Sequence, residues 1–281
     1  MKIFYRITEI KTFLREIKKS GKTIGFVPTM GALHQGHLSL IENARKNNDI
    51  VVCSIFVNPI QFNNKTDLEK YPRPIEKDIK MLEGTKCDVV FIPSEKEMYP
   101  VPDKSVFDFG MLDKVMEGKH RPGHFNGVAI VVKKLFEIIE PDNAYFGEKD
   151  FQQLSIIKKI VQLFDLKVKI IPCATLREKD GLAMSSRNIH LSPEERKSAA
   201  NIYKILSEIK NKIPFLSVEE TKQWVEKEIN ATPFLQLEYI EIADSEKLQA
   251  IKDWKNCTNC RAFIAVKAGK TRLIDNMSIL L

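Results

Sequence analysis

Hydrophobic residues follow two different periods along the first part of the chain. Short runs rich in β-branched residues predict buried strands at 23–28, 50–57, 88–93, 143–148 and 168–174. Between them, the spacing of apolar residues predicts helices at 38–47, 74–84, 127–140 and 151–164. A further helical stripe runs from Ile7 to Ile17. Because apolar strands alternate with helices, we expect an α/β fold in which helices cover both faces of a parallel, Rossmann-like sheet.

The pattern changes after about residue 175. Two helices are predicted to begin with capping boxes, at Ser192–Glu195 and at Ser217–Glu220. Strand-like runs then follow at 235–243, 261–267 and 271–276. The tripeptide "AGK" between the last two runs predicts a hairpin turn. Helices followed by antiparallel strands indicate a small α+β domain, so we expect a first domain at 1–175 and a second at 176–281.

The overall charge is basic. The 44 Lys and Arg residues of this 281-residue chain exceed its 37 Asp and Glu residues by seven, and the pI is about 9.0. This balance favours anionic partners, which include ATP and carboxylates as well as nucleic acid. The charges alternate in sign along the predicted helices instead of forming one block. We therefore interpret most of them as solvated helix faces and expect no nucleic-acid partner.

The cysteines do not indicate a metal centre. Their number, five, is odd, and Cys53, Cys87 and Cys173 lie in apolar runs that predict reduced core residues. The motif "CTNC" at 257–260 has no second Cys or His pair at a suitable spacing to complete a four-ligand zinc site, so a metal or redox role is the weaker interpretation. The N-terminal stretch lacks the uninterrupted apolar core of a signal peptide, and no stretch reaches membrane-spanning length. We expect a cytoplasmic protein without a membrane partner.

The stretch "PTMGALHQGHLSL" at 28–40 places two histidines, His34 and His37, between a predicted strand and a helix expected to begin near Leu38. An exposed loop is the simpler interpretation. However, a helix N-terminus offers N–H donors and a partial positive charge to a phosphate. Gly31 and Gly36 allow close approach of the backbone. The stretch matches neither a Walker loop nor a dinucleotide fingerprint, so it predicts a phosphate site of another type.

This H-x-G-H turn resembles the signature of the nucleotidyl-transferring α/β superfamily that also contains the class I aminoacyl-tRNA synthetases. The partner feature of that superfamily is a mobile loop with a Lys or Arg, later in the chain. The stretch "GLAMSSRN" at 181–188 fits that description, with Ser185, Ser186 and Arg187 as donors to the β- and γ-phosphates. Taken alone, "SSRN" is typical of an ordinary polar loop. Together with the two histidines, it favours a nucleotide site.

Further motifs narrow the resemblance to one family. They are "PTMGALHQGH", "FVNPIQF", "DLEKYPR", "RPGHFNGV", "YFGEKDFQQL", "DGLAMSSRN" and "GKTRLIDN". In this order, from about residue 24 to the C-terminus, the chain resembles the pantothenate synthetase (pantoate–β-alanine ligase) family. The resemblance implies ATP-dependent condensation of pantoate with β-alanine through pantoyl adenylate, with release of AMP and pyrophosphate. It also implies Mg²⁺ bound through the phosphates, a homodimer, and a small domain that closes over the active site.

The resemblance also implies site residues. Catalysis is assigned to His34, His37, Lys149 and Arg187, with His37 as the proton donor. Nucleotide contacts are assigned to Met30, Gly31, Ala32, Leu33, His34, Gln35, Gly36, His37, Gly147, Glu148, Lys149, Asp150, Leu176, Met184, Ser185, Ser186 and Arg187. Gln61 and Gln153 match the pantoate-binding glutamines. Asp150 is also a candidate N-cap for the following helix, and Asp78 is either an outer-shell magnesium contact or a solvated helix residue.

Two alternatives to this function exist, one in the same superfamily and one in another functional class. A nucleotidyltransferase that stops at adenylyl or cytidylyl transfer would use the same histidine turn, but it would not need an amide-lined pocket for a small hydroxy acid. An RNA-binding relative of the tRNA synthetases is the second alternative. The second domain carries charges of both signs and few exposed aromatic residues, so it gives this alternative little support. We leave His124 as a structural residue.

Overall fold

The computed structural model describes residues 1–256 and 258–279, which cluster into two compact units. The first unit comprises Met1–Phe109, Arg121–Glu148 and Gln153–Ala174. The second unit contains Gly110–His120 and Lys149–Gln152 in addition to the chain from Thr175 onward. Two short segments of the N-terminal part therefore belong to the compact unit of the C-terminal part. A domain boundary at 175–176 stays a prediction.

The first unit is built on a six-stranded parallel sheet with strand order β1-β4-β3-β2-β5-β6. Its strands are β1 (Lys2–Phe4), β2 (Ile24–Thr29), β3 (Ile50–Ile55), β4 (Val89–Phe91), β5 (Asn143–Gly147) and β6 (Lys169–Cys173). Five of the six correspond to the predicted apolar runs. The first strand, β1, was not predicted, because three residues at a sheet edge carry too short a pattern to distinguish from the helix that follows. The structure confirms the α/β class.

Helices cover both faces of this sheet. They are α1 (Ile7–Lys19), α2 (Gln35–Asn47), α3 (Lys65–Lys70), α4 (Ile75–Glu83), α5 (Glu95–Met98), α7 (His124–Ile139) and α8 (Phe151–Leu163). Helices α2 and α4 share a hydrophobic core with Val27, Cys53 and Val90. On the opposite face Phe26 packs edge-on against Phe136 of α7, with ring centroids 6.3 Å apart. Alternate residues of β2 therefore enter different cores, as expected for a sheet buried on both sides.

The second unit combines helices with an antiparallel sheet. Its elements are α6 (Met116–His120), α9 (Pro193–Lys212), α10 (Val218–Ala231), β7 (Leu235–Asp244), β8 (Cys260–Ala268) and β9 (Thr271–Ile279). Both predicted capping boxes are present, at Ser192–Glu195 and at Ser217–Glu220. The predicted hairpin joins β8 to β9, with Ala268 paired to Thr271. The small antiparallel α+β unit expected after residue 175 is thus confirmed.

Three cysteines occupy the core of the first unit as predicted. Cys53, Cys87 and Cys173 are buried and free. Burial raises the pKa of the Cys53 thiol, that of Cys87 to about 12 and that of Cys173 to about 11, so all three are unreactive thiols at neutral pH. In the "CTNC" motif, Cys260 begins β8 and is buried, whereas Cys257 lies outside the described residues.

A testable consequence concerns Gly25 in β2. A Cβ at this position would lie 2.6 Å from Nδ2 of Asn48, a buried side chain that donates to Tyr145 Oη at 2.7 Å and accepts from Asn143 Nδ2 at 2.8 Å. We expect Gly25→Ala to displace this amide and to destabilise the first unit by roughly 1–3 kcal/mol, the range for overpacking. The readout is the midpoint of thermal unfolding.

Gly84→Ala is the matched control, because a Cβ there would make an ordinary contact of 3.5 Å at a negative φ. A Gly25→Ala protein as stable as the Gly84→Ala protein would show that Asn48 can move without loss.

Candidate active site

The predicted site residues of the first unit lie where neighbouring parallel strands end. Strand β2 pairs with β3 on one side and with β5 on the other. Thr29 and Ile55, the last residues of β2 and β3, are direct partners in the sheet. The turn at residues 30–37, which carries His34 and His37 and is called the histidine turn below, therefore leaves the sheet beside the segment that contains Gln61. Ligands of open parallel sheets bind at this carboxyl edge.

The two histidines cap helix α2. The helix begins at Gln35, three residues before the expected start, because His34 serves as its N-cap. The N–H of Gly36 donates to Nδ1 of His34 at 3.1 Å, and the N–H of His34 donates to Nδ1 of His37 at 3.3 Å. This is a capping box in which histidine rings replace the usual hydroxyl and carboxylate. The prediction of a helix start near Leu38 was wrong, since histidine is not among the common N-cap residues.

This capping arrangement fixes the tautomer of each neutral ring. A backbone N–H can only donate, so Nδ1 of His34 and Nδ1 of His37 both accept and carry no proton. In the neutral rings the proton then lies on Nε2. The centroids of the two imidazole rings are 4.0 Å apart, so the rings lie side by side. Each imidazole can thus donate through Nε2 to an anionic oxygen.

Asp78 holds the backbone of the same turn. Its Oδ2 accepts from the N–H of Ala32 and its Oδ1 from the N–H of Leu33, both at 2.8 Å. Gly31 precedes these residues at φ +81°, and a Cβ there would lie 2.9 Å from Oδ2 of Asp78. Burial raises the pKa of Asp78, while the two N–H donors act in the opposite direction.

The position of Asp78 corrects one sequence interpretation. Its side chain is only 1% exposed, so it is not a solvated helix residue. Helix α4 projects it inward, to hydrogen bond with the turn at Ala32 and Leu33. An outer-shell magnesium contact stays a prediction. The structure shows that the carboxylate orders the turn that contains the two histidines.

Gln61 lies in a buried cluster of polar side chains. Asn58 is 1% exposed and donates through Nδ2 to the Gly127 carbonyl at 3.0 Å and to Gln61 Oε1 at 3.3 Å. The hydroxyl of Tyr99 donates to Asn58 Oδ1 at 2.9 Å. Sequence reasoning singled out "FVNPIQF" but did not assign Asn58. A buried asparagine in an apolar motif was the available signal, since such amides need hydrogen-bond partners.

His124 supports Gln61 from helix α7. Its Nδ1 lies 2.8 Å from the Gln61 carbonyl oxygen, which can only accept, so Nδ1 is the donor. Its Nε2 lies 3.1 Å from Nη1 of Arg121, which can only donate. His124 is therefore the neutral Nδ1–H tautomer in this arrangement. Its structural role agrees with the sequence interpretation.

The segment after β5 contains two adjacent glutamines with different surroundings. Gln152 is buried in the second unit, where its Nε2 donates to the carbonyls of Leu112 and Val115. Gln153 is half-buried in the first turn of α8 and belongs to the first unit. The structure thus assigns Gln152 a structural task, which leaves Gln153 as the ligand-binding candidate.

The second unit contains a cavity that brings several predicted nucleotide contacts together. It is lined by Lys149, Leu182, Ala183, Ser185, Arg187, Asn188, Ile202, Arg272, Leu273, Ile274 and Asp275. Lys149 belongs to a short 3₁₀ helix, Glu148–Asp150, and its Nζ lies 3.6 Å from Oδ1 of Asp150. Arg187 lies two residues after Ser185, and its main-chain N–H donates a hydrogen bond of 3.3 Å to the Ser185 hydroxyl oxygen. The structure therefore gathers Lys149, Ser185 and Arg187 around one space.

Arg272 also lines this cavity, but two carboxylates already compensate its charge. Its guanidinium donates to both carboxylate oxygens of Glu117, at 2.8 and 2.6 Å, and to Glu238 at 2.8 Å. Burial alone would lower the pKa of Arg272, whereas these carboxylates raise it above the ordinary value. Arg272 therefore stays charged and paired with these two carboxylates.

The remaining nucleotide candidates divide between the units. Gly147 ends β5 and Glu148 follows it in the first unit. In the second unit, the N–H of Met184 donates to the Leu176 carbonyl at 3.0 Å, and Ser186 begins a 3₁₀ helix, Ser186–His190. Residues of the histidine turn and residues of the cavity thus belong to different compact units. The individual roles of all these residues stay predictions.

Comparison with known proteins gives one consistent result. The family model for pantoate-beta-alanine ligase matches residues 2–278. The chain belongs to the pantoate–β-alanine ligase family. A pantothenate synthetase of Porphyromonas gingivalis is 52% identical over 277 residues, which are 99% of this chain and 99% of that protein. The chain is accordingly a carbon–nitrogen ligase.

Solved structures agree with this assignment. The crystal structure of pantothenate synthetase from Thermus thermophilus superposes with a TM-score of 0.93 at 40% identity, covering all of both chains. That of pantoate-beta-alanine ligase from Francisella tularensis, complexed with beta-gamma ATP and beta-alanine, gives a TM-score of 0.82 at 40% identity. It covers 99% of this chain and 97% of that one. These likenesses support the ligase and not a transferase that stops at adenylyl transfer.

The Asp78 contact leads to a prediction for this ligase. In Asp78→Asn the amide can accept from only one of the N–H groups of Ala32 and Leu33, and its NH₂ group faces the other. An unsatisfied buried N–H costs about 1–3 kcal/mol, so we expect the turn to loosen and pantoate-dependent ATP–pyrophosphate exchange to fall about tenfold or more. Exchange turnover and the thermal midpoint are measured together.

Glu76→Gln removes a charge at an exposed position of the same helix and serves as the control. An Asp78→Asn enzyme with the turnover of the Glu76→Gln enzyme would mean that the turn keeps its shape without this carboxylate.

Proposed function

We propose that the chain condenses pantoate with β-alanine to pantothenate through pantoyl adenylate, with the nucleotide on the histidine turn and pantoate beside Gln61. One observation carries this proposal. Nε2 of Gln61 lies 2.8 Å from Sδ of Met30. The glutamine amide that we assign to pantoate therefore contacts the first residue of the histidine turn. The two proposed subsites are therefore in contact within the first unit. A carboxylate held at one would adjoin a phosphate held at the other.

The chemistry divides into two steps. A pantoate carboxylate oxygen attacks the α-phosphorus of ATP, a carboxyl O–P bond forms, and the bond to the β-phosphate breaks to release pyrophosphate. The amine of β-alanine then attacks the pantoyl carbonyl carbon, the C–N bond forms, and AMP leaves while the amine loses a proton. The first step increases the charge on phosphoryl oxygens, so positioning and cationic stabilisation are its main requirements.

The phosphate side requires donors, which we assign to four residues. His34 and His37 donate through Nε2, the nitrogen that carries the proton because Nδ1 accepts within the capping box. His37 acts as the proton donor, because an imidazole that carries its proton on Nε2 can give it to a phosphoryl oxygen. Lys149 and Arg187 supply positive charge from the cavity of the second unit. Closure of the second unit over the first during the reaction is part of this proposal.

The pantoate side uses amides and not cations. Gln61 and Gln153 can each donate to the carboxylate and accept from a hydroxyl group. A lysine or arginine would form a strong ion pair with the carboxylate and reduce its nucleophilicity. The Asn58 bond to Gln61 Oε1 directs the other amide atom, Nε2, toward Met30.

Further properties belong to the proposal. ATP reacts as its magnesium complex: within the described ranges no cluster of three or more His, Cys, Asp or Glu side chains could hold a metal ion, and Mg²⁺ is commonly bound through phosphates and water. The enzyme acts in the cytoplasm as a homodimer. In the part of the chain described, no helix is long and apolar enough to cross a membrane.

The nucleotide contacts also include Asp150, which we propose binds the ribose. The Francisella enzyme was crystallised with beta-gamma ATP and beta-alanine, which supports ATP and β-alanine as substrates here.

The glutamine assignment predicts separate effects on the two substrates. Gln61→Ala and Gln153→Ala should each raise the KM for pantoate about tenfold or more, as expected when a polar contact to a carboxylate is lost. ATP affinity, measured by calorimetry without pantoate, should stay within about twofold because no phosphate contact is removed. Gln162→Ala, at an exposed position of the same helix as Gln153, is the control. A large loss of ATP affinity in either site variant would contradict the assignment.

The histidine assignment predicts that the two half-reactions respond differently. In His37→Ala we expect ATP–pyrophosphate exchange with pantoate to fall about a hundredfold or more, the range for one acid–base or oxyanion group. Conversion of supplied pantoyl adenylate by β-alanine should stay within about tenfold of the parent rate, because no triphosphate charge develops in that step.

The control is His190→Ala, an exposed histidine in the second unit. If both half-reactions of His37→Ala fall together while adenylate binding and thermal midpoint are unchanged, His37 does not act on the phosphate side.

A further inference from the structure

Two adjacent residues in the middle of β9, Asp275 and Asn276, have no assigned role in the function proposed above. They are 5% and 3% exposed, which is unusual for a carboxylate and an amide. Both belong to the "GKTRLIDN" motif, which sequence reasoning used only for its resemblance. Buried polar groups require partners, and the partners of these two are informative.

Asn276 holds the main chain at Lys149. Its Nδ2 donates to the Lys149 carbonyl oxygen at 2.8 Å, and its Oδ1 accepts from Nη1 of Arg261. The Arg261 guanidinium in turn lies 4.0 Å from the ring centroid of Phe151. The segment from Lys149 to Phe151 is therefore fastened to the antiparallel sheet at both of its ends.

Asp275 holds the base of the segment that contains Arg187. Its two carboxylate oxygens accept from the Arg177 guanidinium at 2.6 and 3.0 Å. Nη1 of Arg177 also donates to the Gly181 carbonyl at 3.1 Å, and Arg177 pairs with Ala183 in an antiparallel bridge. These contacts order the hairpin from which the chain continues to Arg187.

We infer that Asp275 and Asn276 are positioning residues for adenylate formation: Asn276 places Lys149, and Asp275 places the hairpin that leads to Arg187. The main-chain N–H of Asn276 donates to Asp275 Oδ1 at 2.8 Å, so the two anchors are connected. Lys149, Arg187 and Asp275 line the same cavity. One short stretch of strand therefore contacts both the segment that contains Lys149 and the hairpin that leads to Arg187.

This inference rests on the proposed function, because it requires Lys149 to act on phosphate. A carboxylate in place of the Asn276 amide isolates the contact with Lys149. In Asn276→Asp an oxygen still accepts from Arg261, but the second atom becomes an acceptor that faces the Lys149 carbonyl. The bond to Lys149 is lost and replaced by repulsion, while the size of the side chain hardly changes.

The test is a double-mutant cycle in pantoate-dependent ATP–pyrophosphate exchange. Lys149→Ala alone should lower exchange turnover about a hundredfold, as for one oxyanion donor. Asn276→Asp alone should lower turnover about tenfold, with a smaller change in the KM for pantoate. In the Lys149→Ala background, Asn276→Asp should lower turnover less than about twofold, because the side chain that it positions is absent. Asn47→Asp, the same change at an exposed position of α2, is the control.

Each other outcome has a definite meaning. Equal losses from Asn276→Asp in both backgrounds would overturn the inference and leave Asn276 as a merely structural residue. Unchanged turnover in Asn276→Asp would overturn it as well. Unchanged turnover in Lys149→Ala would instead contradict the proposed role of Lys149. If Asn276→Asp does not fold, Asn276→Ala takes its place in the cycle and the same outcomes apply.

Discussion

The candidate site depends on the parallel pairing of β2 with β3 and with β5. Parallel strands bring all their carboxyl ends to one edge of the sheet, so segments far apart in sequence leave it side by side. Thr29 and Ile55 are paired partners, and the histidine turn and the Gln61 segment follow directly from them. The contact between Gln61 and Met30 is a consequence of this register. A shift of one strand relative to the other would separate the two proposed subsites.

The turn that follows β2 has to be rigid while its two imidazoles each keep a donor for substrate. The Asp78 carboxylate accepts hydrogen bonds from its backbone, and the imidazole nitrogens of His34 and His37 cap helix α2, which follows it. Capping through Nδ1 keeps the proton on Nε2, so the same rings that begin the helix can serve as donors. The two imidazoles therefore both cap the helix and keep an N–H donor for the substrate.

The alternation of strands and helices was readable from the sequence because period and composition both indicate it. Strand β1 was not readable, since Lys2–Phe4 is too short to show a period. The start of α2 was placed too late because a histidine N-cap has no strong sequence signal. Asp78 could not be interpreted from sequence, because its partners lie 46 and 45 positions earlier in the chain and the contact exists only after folding. Asn58 and Asn276 were missed for the same reason, although each lies in a motif that carries the family resemblance.

The central claim is that this chain activates pantoate by adenylation on the histidine turn. Its most direct test is ATP–pyrophosphate exchange in the absence of β-alanine, measured with a panel of small carboxylic acids that includes pantoate, its analogue without the geminal methyl groups, lactate and pyruvate. We predict exchange with pantoate and little with the other acids. Exchange that is absent with pantoate, although ATP binds, or that is equally fast with all acids, would contradict the account.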